Sequence, residues 1–211
     1  MNKLIETIDL TKVYGEKETS VTALNSITTA FNENQFTAIM GPSGSGKSTL
    51  LHCLAGLDKV TSGSILINGI DLASLNDKEL TKMRRDSFGF VFQAFNLIPT
   101  LTAEENITLP SSIAGRKPED EWVEQVIEAM DIGDRLGHRP NELSGGQQQR
   151  VAAARAMASK PEVIFADEPS GNLDSKSSKE LLVFMKSIVE DLNQTIVMVT
   201  HDPYAASYAQ R

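Results

Sequence analysis

The chain is poor in cysteine and has no long apolar run. Its one cysteine among 211 residues, Cys53, excludes an intrachain disulfide and suits a reducing compartment. No window approaches the roughly 18 apolar residues that a membrane-spanning helix needs, and polar residues follow Met1–Glu6 where a signal peptide would be apolar. We therefore expect neither a membrane span nor a secretory signal in this sequence.

Positive charge is also scarce. The sequence has 20 Lys and Arg residues and 28 Asp and Glu residues, which gives a net charge of −8 and a pI near 4.9. Proteins that bind nucleic acid usually carry the opposite sign, so the balance disfavours such a partner. The remaining composition, 40% hydrophobic and 23% charged, is that of a globular protein, and the length favours one domain.

A glycine-rich stretch matches the phosphate-binding loop pattern G-x-x-x-x-G-K-[S/T] at every fixed position. It runs through Gly41, Pro42, Ser43, Gly44, Ser45, Gly46, Lys47, Ser48 and Thr49. Glycines let successive backbone N–H groups turn towards one anion, Lys47 adds a mobile charge, and the Ser48 hydroxyl is a ligand that Mg²⁺ accepts. A predicted strand (36–40) precedes the loop and a predicted helix (48–55) follows it, so a phosphate would lie at a helix N-terminus. By itself the loop leaves the kind of nucleotide-binding protein open.

Two further strands end in chemically useful residues. The apolar run at 163–166 is followed by Asp167 and Glu168, which places two carboxylates at the carboxyl edge of the predicted sheet. Asp167 is suited to holding Mg²⁺, and Glu168 to orienting or deprotonating an attacking water. His201 follows the apolar run at 195–200 and would lie at the same edge, whereas we expect His52 and His138 to be structural.

A second anion cradle follows Leu143. Ser144, Gly145 and Gly146 offer a hydroxyl and two closely approachable amides at the start of a helix predicted to run to Ser159. A helix cap explains the serine but not the paired glycines. One chain therefore carries two phosphate cradles and one set of metal and base residues.

The patterning predicts an α/β fold. Residues 3–40 alternate in short runs that indicate an antiparallel β layer ending in the strand before the phosphate loop. Helical patterns dominate 94–160, including a helix from Pro118 to Met130 with Trp122 as a packing residue. Alternating strands and helices resume after Pro161. We expect a nucleotide-binding core (1–93 and 161–211) with an inserted helical subdomain (94–160).

Together these motifs resemble the ATP-binding subunit of an ABC transporter. Walker A, Q-loop, signature, Walker B and switch-histidine motifs occur in the family's order, at Gly41–Thr49, Gln93, Leu143–Arg150, Val163–Glu168 and His201. The neighbouring residues are similar to the macrolide-exporter and lipoprotein-release group, the type VII or mechanotransmitting systems. The resemblance implies a P-loop NTPase fold: a RecA-like core with an antiparallel β layer and a helical subdomain.

The resemblance also implies a role for each matching residue. Tyr14 corresponds to the aromatic that stacks on adenine, Gln93 to the glutamine that touches the metal or water, and Asp174 to the D-loop aspartate. Lys47, Glu168 and His201 belong to the hydrolytic set. The signature residues Ser144, Gly145 and Gly146 would close on ATP held by a second copy. The implied assembly is a head-to-tail dimer with ATP and Mg²⁺, docked on a permease at the cytoplasmic face of the membrane.

The chain departs from the family pattern at two places. Ser170 stands where the family has threonine, which is a mild change. The sequence stops at Arg211, where relatives continue with a β-hairpin, and we expect this to leave a strand edge less covered. The polar turn at 15–20 matches a short insertion typical of the group.

Two other function classes use the same ATPase motifs. One is a sensing complex, in which ATP-driven conformational changes regulate an extracytoplasmic enzyme or a sensor kinase and nothing is transported. The other is DNA repair or chromosome maintenance, which requires long coiled-coil or zinc-binding insertions. The single cysteine, the compact helical insertion and the acidic charge disfavour that second class.

Overall fold

The computed structural model describes residues 2–16, 19–117 and 119–211. Over these ranges the strands are β1 (Lys3–Tyr14), β2 (Val21–Asn32), β3 (Phe36–Met40), β4 (Ser62–Ile67), β5 (Ile70–Asp71), β6 (Phe88–Phe92), β7 (Val163–Asp167) and β8 (Thr195–Thr200). The helices are α1 (Lys47–Leu54), α2 (Asp77–Ser87), α3 (Ala103–Ile113), α4 (Asp120–Ala129), α5 (Gly145–Met157), α6 (Ser175–Leu192) and α7 (Pro203–Ala206).

A four-stranded parallel sheet forms the centre of the fold, in the order β3-β8-β7-β6. All six residues of β8 are buried, as the continuous apolar run at 195–200 predicts for a strand covered on both faces. The α/β class expected from the sequence is confirmed.

A second sheet is antiparallel, with the order β2-β1-β4-β5. The antiparallel layer predicted over 3–40 is confirmed for β1 and β2 but wrong for Phe36–Met40. That segment, β3, pairs in parallel with β8, from Phe36 opposite Ile196 to Met40 opposite Thr200. A short apolar run does not identify its partner strand, and here the partner lies far along the chain.

Side chains of the parallel sheet alternate between two apolar cores. Phe165 and Val199 pack on one side with α1 and the antiparallel sheet. Ala166 and Met198 pack on the other side with α3, α4, α5 and α6. The period of two along each strand thus joins the two layers through one sheet.

The helices α3, α4 and α5 all lie between β6 and β7 along the chain. Their apolar side chains share a core with α6 and the parallel sheet, so this region packs directly on the sheet. Trp122 of α4 is buried and its Nε1 donates to the Met157 carbonyl at 2.8 Å, which confirms its packing role. The division into a core and a 94–160 subdomain stays a prediction.

Two sequence-based expectations involve residues outside the described ranges. The first is that Pro118 occupies the first helical position of α4. The second is the polar turn at 15–20, of which Lys17 and Glu18 lie outside the described ranges. In the described part, α4 begins at Asp120 and buries Val123 and Val126. Its predicted apolar face is confirmed.

The free edge of β3 is partly covered. Gln210 N donates to the Phe36 carbonyl at 2.9 Å, and Ala38 N donates to the Arg211 carbonyl at 2.8 Å. These bonds cover part of the β3 edge, and the expectation that an edge is less covered than in the family stays a prediction.

Cys53 lies on α1 and is 1% exposed. Burial raises the pKa of its thiol to about 11, so the residue is a small apolar packing group, as expected. Among the helices of the described residues, none combines the length and the apolar character that crossing a membrane requires.

Candidate nucleotide-binding and catalytic site

Four of the predicted site segments follow the four parallel strands. The register aligns Met40 with Thr200, Val199 with Asp167, and Asp167 with Phe92. The residues that come next, Gly41, His201, Glu168 and Gln93, therefore lie along one edge of the sheet. This is the carboxyl edge, where open α/β sheets bind ligands.

The phosphate loop connects β3 to α1. Gly46 precedes the helix with φ of +86°, and a Cβ there would lie 2.3 Å from the Ala23 carbonyl oxygen, so no other residue fits. Lys47 Nζ donates to the carbonyls of Gly41 and Pro42, both at 2.9 Å. The ammonium group is thus held over the loop, beside the unpaired amides at the start of α1.

The Ser48 and Asp167 side chains meet across the sheet edge. Ser48 Oγ donates to Asp167 Oδ1 at 3.0 Å. Adjacent ligands of an octahedral Mg²⁺ ion with bonds of 2.0–2.1 Å are about 2.9 Å apart, so this oxygen pair fits the ion. One hydroxyl and one carboxylate, with the rest of the shell left to phosphate and water, is a donor set that Mg²⁺ accepts.

Glu168 and His201 form a hydrogen-bonded pair. Glu168 Oε1 accepts from the His201 backbone N–H at 3.0 Å and lies 2.7 Å from His201 Nδ1. Its other oxygen accepts from the Thr200 hydroxyl at 3.1 Å. Glu168 has φ of +47°, a strained value that often marks functional sites, and its N–H donates to the Val199 carbonyl at 2.9 Å. The carboxylate is therefore fixed in place, and the largely exposed imidazole keeps Nε2 for a further partner.

Gln93 contacts the loop that follows Glu168. Its Nε2 donates to Asn172 Oδ1 at 3.1 Å, and Asn172 Nδ2 donates to the Gln93 backbone carbonyl at 2.9 Å. The residue lies on the same sheet edge as Glu168, and its side chain bonds Asn172.

The second cradle lies at the N-terminus of α5. Ser144 caps this helix: its hydroxyl accepts from Gln147 N at 3.3 Å, and Gln147 Oε1 accepts from Ser144 N at 2.9 Å. A Cβ on Gly146 would lie 2.7 Å from Ser177 Oγ, which explains the second glycine as a close approach to α6. The amides of Gly145 and Gly146, in the first turn, have no partner inside the helix, and such amides at a helix N-terminus suit an anion.

Asp174 caps α6 beside this cradle. Its carboxylate accepts from the backbone N–H groups of Lys176 and Ser177 and from the Ser177 hydroxyl at 2.7 Å. The Ser177 hydroxyl holds the pKa of this carboxyl below its usual range. Ser177 therefore links Asp174 to Gly146.

Tyr14 lies at the end of β1, and the residue is 40% exposed. Its hydroxyl donates to Asp58, and this bond raises the pKa of the phenol. Hydrogen bonding to Thr49 lowers the pKa by a smaller amount, so the net shift is upward. Lys12 Nζ donates to Asp58 Oδ1 at 2.7 Å and lies 4.6 Å from the Tyr14 ring centroid. The Lys12 bond holds the pKa of Asp58 below its usual range. The exposed ring thus stands beside the last residue of the phosphate loop.

His52, which was expected to be structural, lies close to the site. Its Nε2 is 3.8 Å from Asp167 Oδ2. The signal was in the sequence, because His52 is four residues after Ser48 on α1 and therefore on the same helical face. Asn172, Asp58 and Thr200 were also missed, since each contacts a site residue through tertiary structure and carries no local pattern.

Comparison with known proteins agrees with this geometry. The ABC transporter family profile matches residues 24–171. The chain is 46% identical over 210 residues to the macrolide export ATP-binding/permease protein MacB of Marinobacter nauticus, covering 99% of this chain and 32% of that protein. It is 44% identical over 213 residues to the lipoprotein-releasing system ATP-binding protein LolD of Geobacter metallireducens, covering 100% and 95%. The chain thus spans about a third of the length of MacB and nearly all of LolD.

A solved structure has the same fold. The dimeric ABC transporter cassette MJ0796 of Methanocaldococcus jannaschii aligns with a TM-score of 0.87 at 43% identity, covering 98% of this chain and 91% of that one. A second structure of that cassette is a dimeric post-hydrolysis state bound to ADP and Pi. The chain belongs to the ABC transporter family, as an ATP-binding and ATP-hydrolysing cassette of the group that includes the macrolide-export and lipoprotein-release proteins.

Proposed function

We propose that this cassette works as a head-to-tail dimer that hydrolyses Mg²⁺-ATP and drives a separate membrane permease. The observation that carries the proposal is the presence of two phosphate cradles on one chain, at the N-termini of α1 and α5. The cradle on α1 adjoins the metal and base residues. The cradle on α5 has a capping serine and a glycine packed on Ser177.

In this proposal the first cradle holds the nucleotide. The loop amides and Lys47 bind the phosphates, and Lys47 exchanges its two carbonyl contacts for phosphate oxygens. The exposed Tyr14 ring, fixed through Asp58, stacks on adenine. Tyr14 hydrogen-bonds with Thr49, the last residue of the loop, so the stacking ring and the phosphate loop are adjacent.

Mg²⁺ would be held by Ser48 and Asp167, with Gln93 reaching the ion or its water. When bound, the ion neutralises charge that builds up on the phosphate oxygens. The 3.0 Å separation of Ser48 Oγ and Asp167 Oδ1 supports this assignment. His52 Nε2 lies 3.8 Å from Asp167 Oδ2, the carboxylate oxygen that does not accept from Ser48.

Glu168 is the proposed general base. It takes a proton from the attacking water, and its contacts to His201 and Thr200 keep the carboxylate oriented while this happens. His201 then has Nε2 available to bond the γ-phosphate or the water. Positioning and electrostatic stabilisation supply the catalysis, with no covalent intermediate on the protein.

The second cradle completes the site of the partner copy. Ser144, Gly145 and Gly146 would close on the γ-phosphate held by the other chain, with Asp174 beside them. A symmetric pair then has two composite sites. This arrangement makes each ATP site depend on residues of both chains.

The conformational change driven by ATP is proposed to pass to a membrane permease at the cytoplasmic face. The contact would be the surface around Gln93 and the helices α3 to α5. The names of the relatives support this, since MacB is a macrolide export ATP-binding/permease protein and LolD belongs to a lipoprotein-releasing system. Export or mechanical transmission through the permease is therefore the proposed output, and the cargo follows from the permease.

The permease is tested by purification from native membranes. The tagged chain is expected to leave detergent extracts with an integral membrane protein that mass spectrometry identifies. Reconstituted into nanodiscs with that protein, the chain should change its ATPase rate. Recovery of the chain without any membrane protein would contradict this part of the proposal. A recovered membrane protein that leaves the ATPase rate unchanged would also contradict it.

A further inference from the structure

We propose that Asn172 is a positioning residue that fixes the orientation of the Gln93 side-chain amide, so that Gln93 Oε1 stays available to the Mg²⁺ ion or its water. The inference rests on the proposed role of Gln93 and adds a residue that the motif pattern does not assign to the site. Asn172 lies in the loop between Glu168 and the α6 cap Asp174.

The two side chains are joined by a reciprocal pair of hydrogen bonds. Gln93 Nε2 donates to Asn172 Oδ1 at 3.1 Å, and Asn172 Nδ2 donates to the Gln93 backbone carbonyl at 2.9 Å. One amide thus bonds both the side chain and the main chain of Gln93. Such a clamp restrains the first residue of the loop after β6 as well as its side chain.

The chemistry of the groups determines both amide orientations. A backbone carbonyl only accepts, so Asn172 must present its NH₂ group to Gln93 O. Because the amide is planar, its oxygen then faces the Gln93 side chain and also only accepts. Gln93 must therefore present its NH₂ group to Asn172, which directs Oε1 away from the clamp.

The direction of Oε1 matters because Mg²⁺ takes oxygen ligands and an amide NH₂ group cannot bind it. A freely rotating glutamine amide would present the wrong atom in half of its orientations. Close packing adds to the restraint, since a Cβ on Gly171 would lie 2.8 Å from Gln93 Nε2. Asn172 therefore sets the amide orientation that directs Gln93 Oε1 away from the clamp. Packing against Gly171 restrains the amide in that orientation.

The test is a double-mutant cycle in the intact chain. ATPase rates are measured against Mg²⁺ concentration for the wild type, Asn172→Ala, Gln93→Ala and the double variant. Loss of the clamp is expected to raise the Mg²⁺ concentration for half-maximal rate roughly 3- to 30-fold in Asn172→Ala, since two amide hydrogen bonds are lost. In the Gln93→Ala background the same substitution is expected to add nothing.

Binding gives a second readout that does not depend on turnover. Mn²⁺ is titrated against each variant with ADP present and followed by electron paramagnetic resonance, and Asn172→Ala should weaken Mn²⁺ binding by the same factor. Gln125→Ala removes an exposed amide on α4 and serves as the matched control, with wild-type behaviour expected.

Two results would overturn the inference: an unchanged metal dependence in Asn172→Ala, or an equal loss with and without Gln93. Failure of the proposed function looks different, because the wild type itself would then show no Mg²⁺-dependent ATP turnover. Thermal unfolding of each variant separates loss of the clamp from loss of the fold.

Discussion

Glu168→Gln is expected to bind ATP and to dimerise in its presence while ATP turnover falls about 100- to 10,000-fold. This range is the usual contribution of a general base. The substituted amide cannot take a proton from water, but it keeps the size of the side chain. Its oxygen can accept from His201 N as the carboxylate does. The Thr200 hydroxyl can turn from donor to acceptor for the new NH₂ group, so the fold is retained.

The measurement combines steady-state ATPase rates with light scattering in Mg²⁺-ATP. The variant should have twice the monomer mass when ATP is present, because bound ATP is not consumed. Glu124→Gln on the exposed face of α4 removes a carboxylate elsewhere and should leave the rate unchanged. Turnover of Glu168→Gln at the wild-type rate would assign the base to another residue.

Lys47→Ala is expected to weaken ATP binding roughly 10- to 100-fold. A hydrogen bond to a charged group contributes about 1.5–3 kcal/mol, and every 1.4 kcal/mol is tenfold in the dissociation constant. Lys47 Nζ is held over the loop by the Gly41 and Pro42 carbonyls, both of which remain solvated without it. The loss should therefore appear in nucleotide affinity rather than in stability.

Isothermal titration with ATP and with ADP measures this effect. Lys186→Ala is a suitable control, since its ammonium group lies 3.8 Å from Glu190 in an exposed pair of small energetic value. Equal ATP affinity in Lys47→Ala and Lys186→Ala would contradict the assignment of the phosphate loop.

The sequence predicted the edge of the parallel sheet well because the needed signals are local. Each apolar run ends at a chemically distinctive residue, and parallel strands bring their carboxyl ends together. Glu168 and His201 could thus be placed on one edge before any pairing was known. The cap at Ser144 was likewise readable from its spacing to Gln147.

Contacts between residues that are far apart in the sequence were harder to predict. Phe36–Met40 was assigned to the wrong sheet because its partner, β8, begins at Thr195. The Gln93–Asn172 clamp joins loops after two neighbouring strands, and no spacing along the chain encodes it. His52 differs, since its helical spacing from Ser48 pointed to the site but a lone histidine is more often structural.

The central claim is that each chain carries half of an ATP site, and mixing two inactive variants tests it most directly. Lys47→Ala damages the first cradle. Gly145→Asp places a carboxylate in the second. A Cβ at Gly145 would lie 3.9 Å from Phe95 Cζ, an ordinary van der Waals contact, so the fold should tolerate the change. In a mixed head-to-tail dimer both defects fall in one composite site, and the other site is intact.

An equimolar mixture should therefore regain ATPase activity, to about a quarter of the wild-type rate, since half of the dimers are mixed and each has one intact site of two. Neither variant alone should show this activity. If the mixture stays as inactive as its two components, the site lies within a single chain and the composite arrangement is wrong.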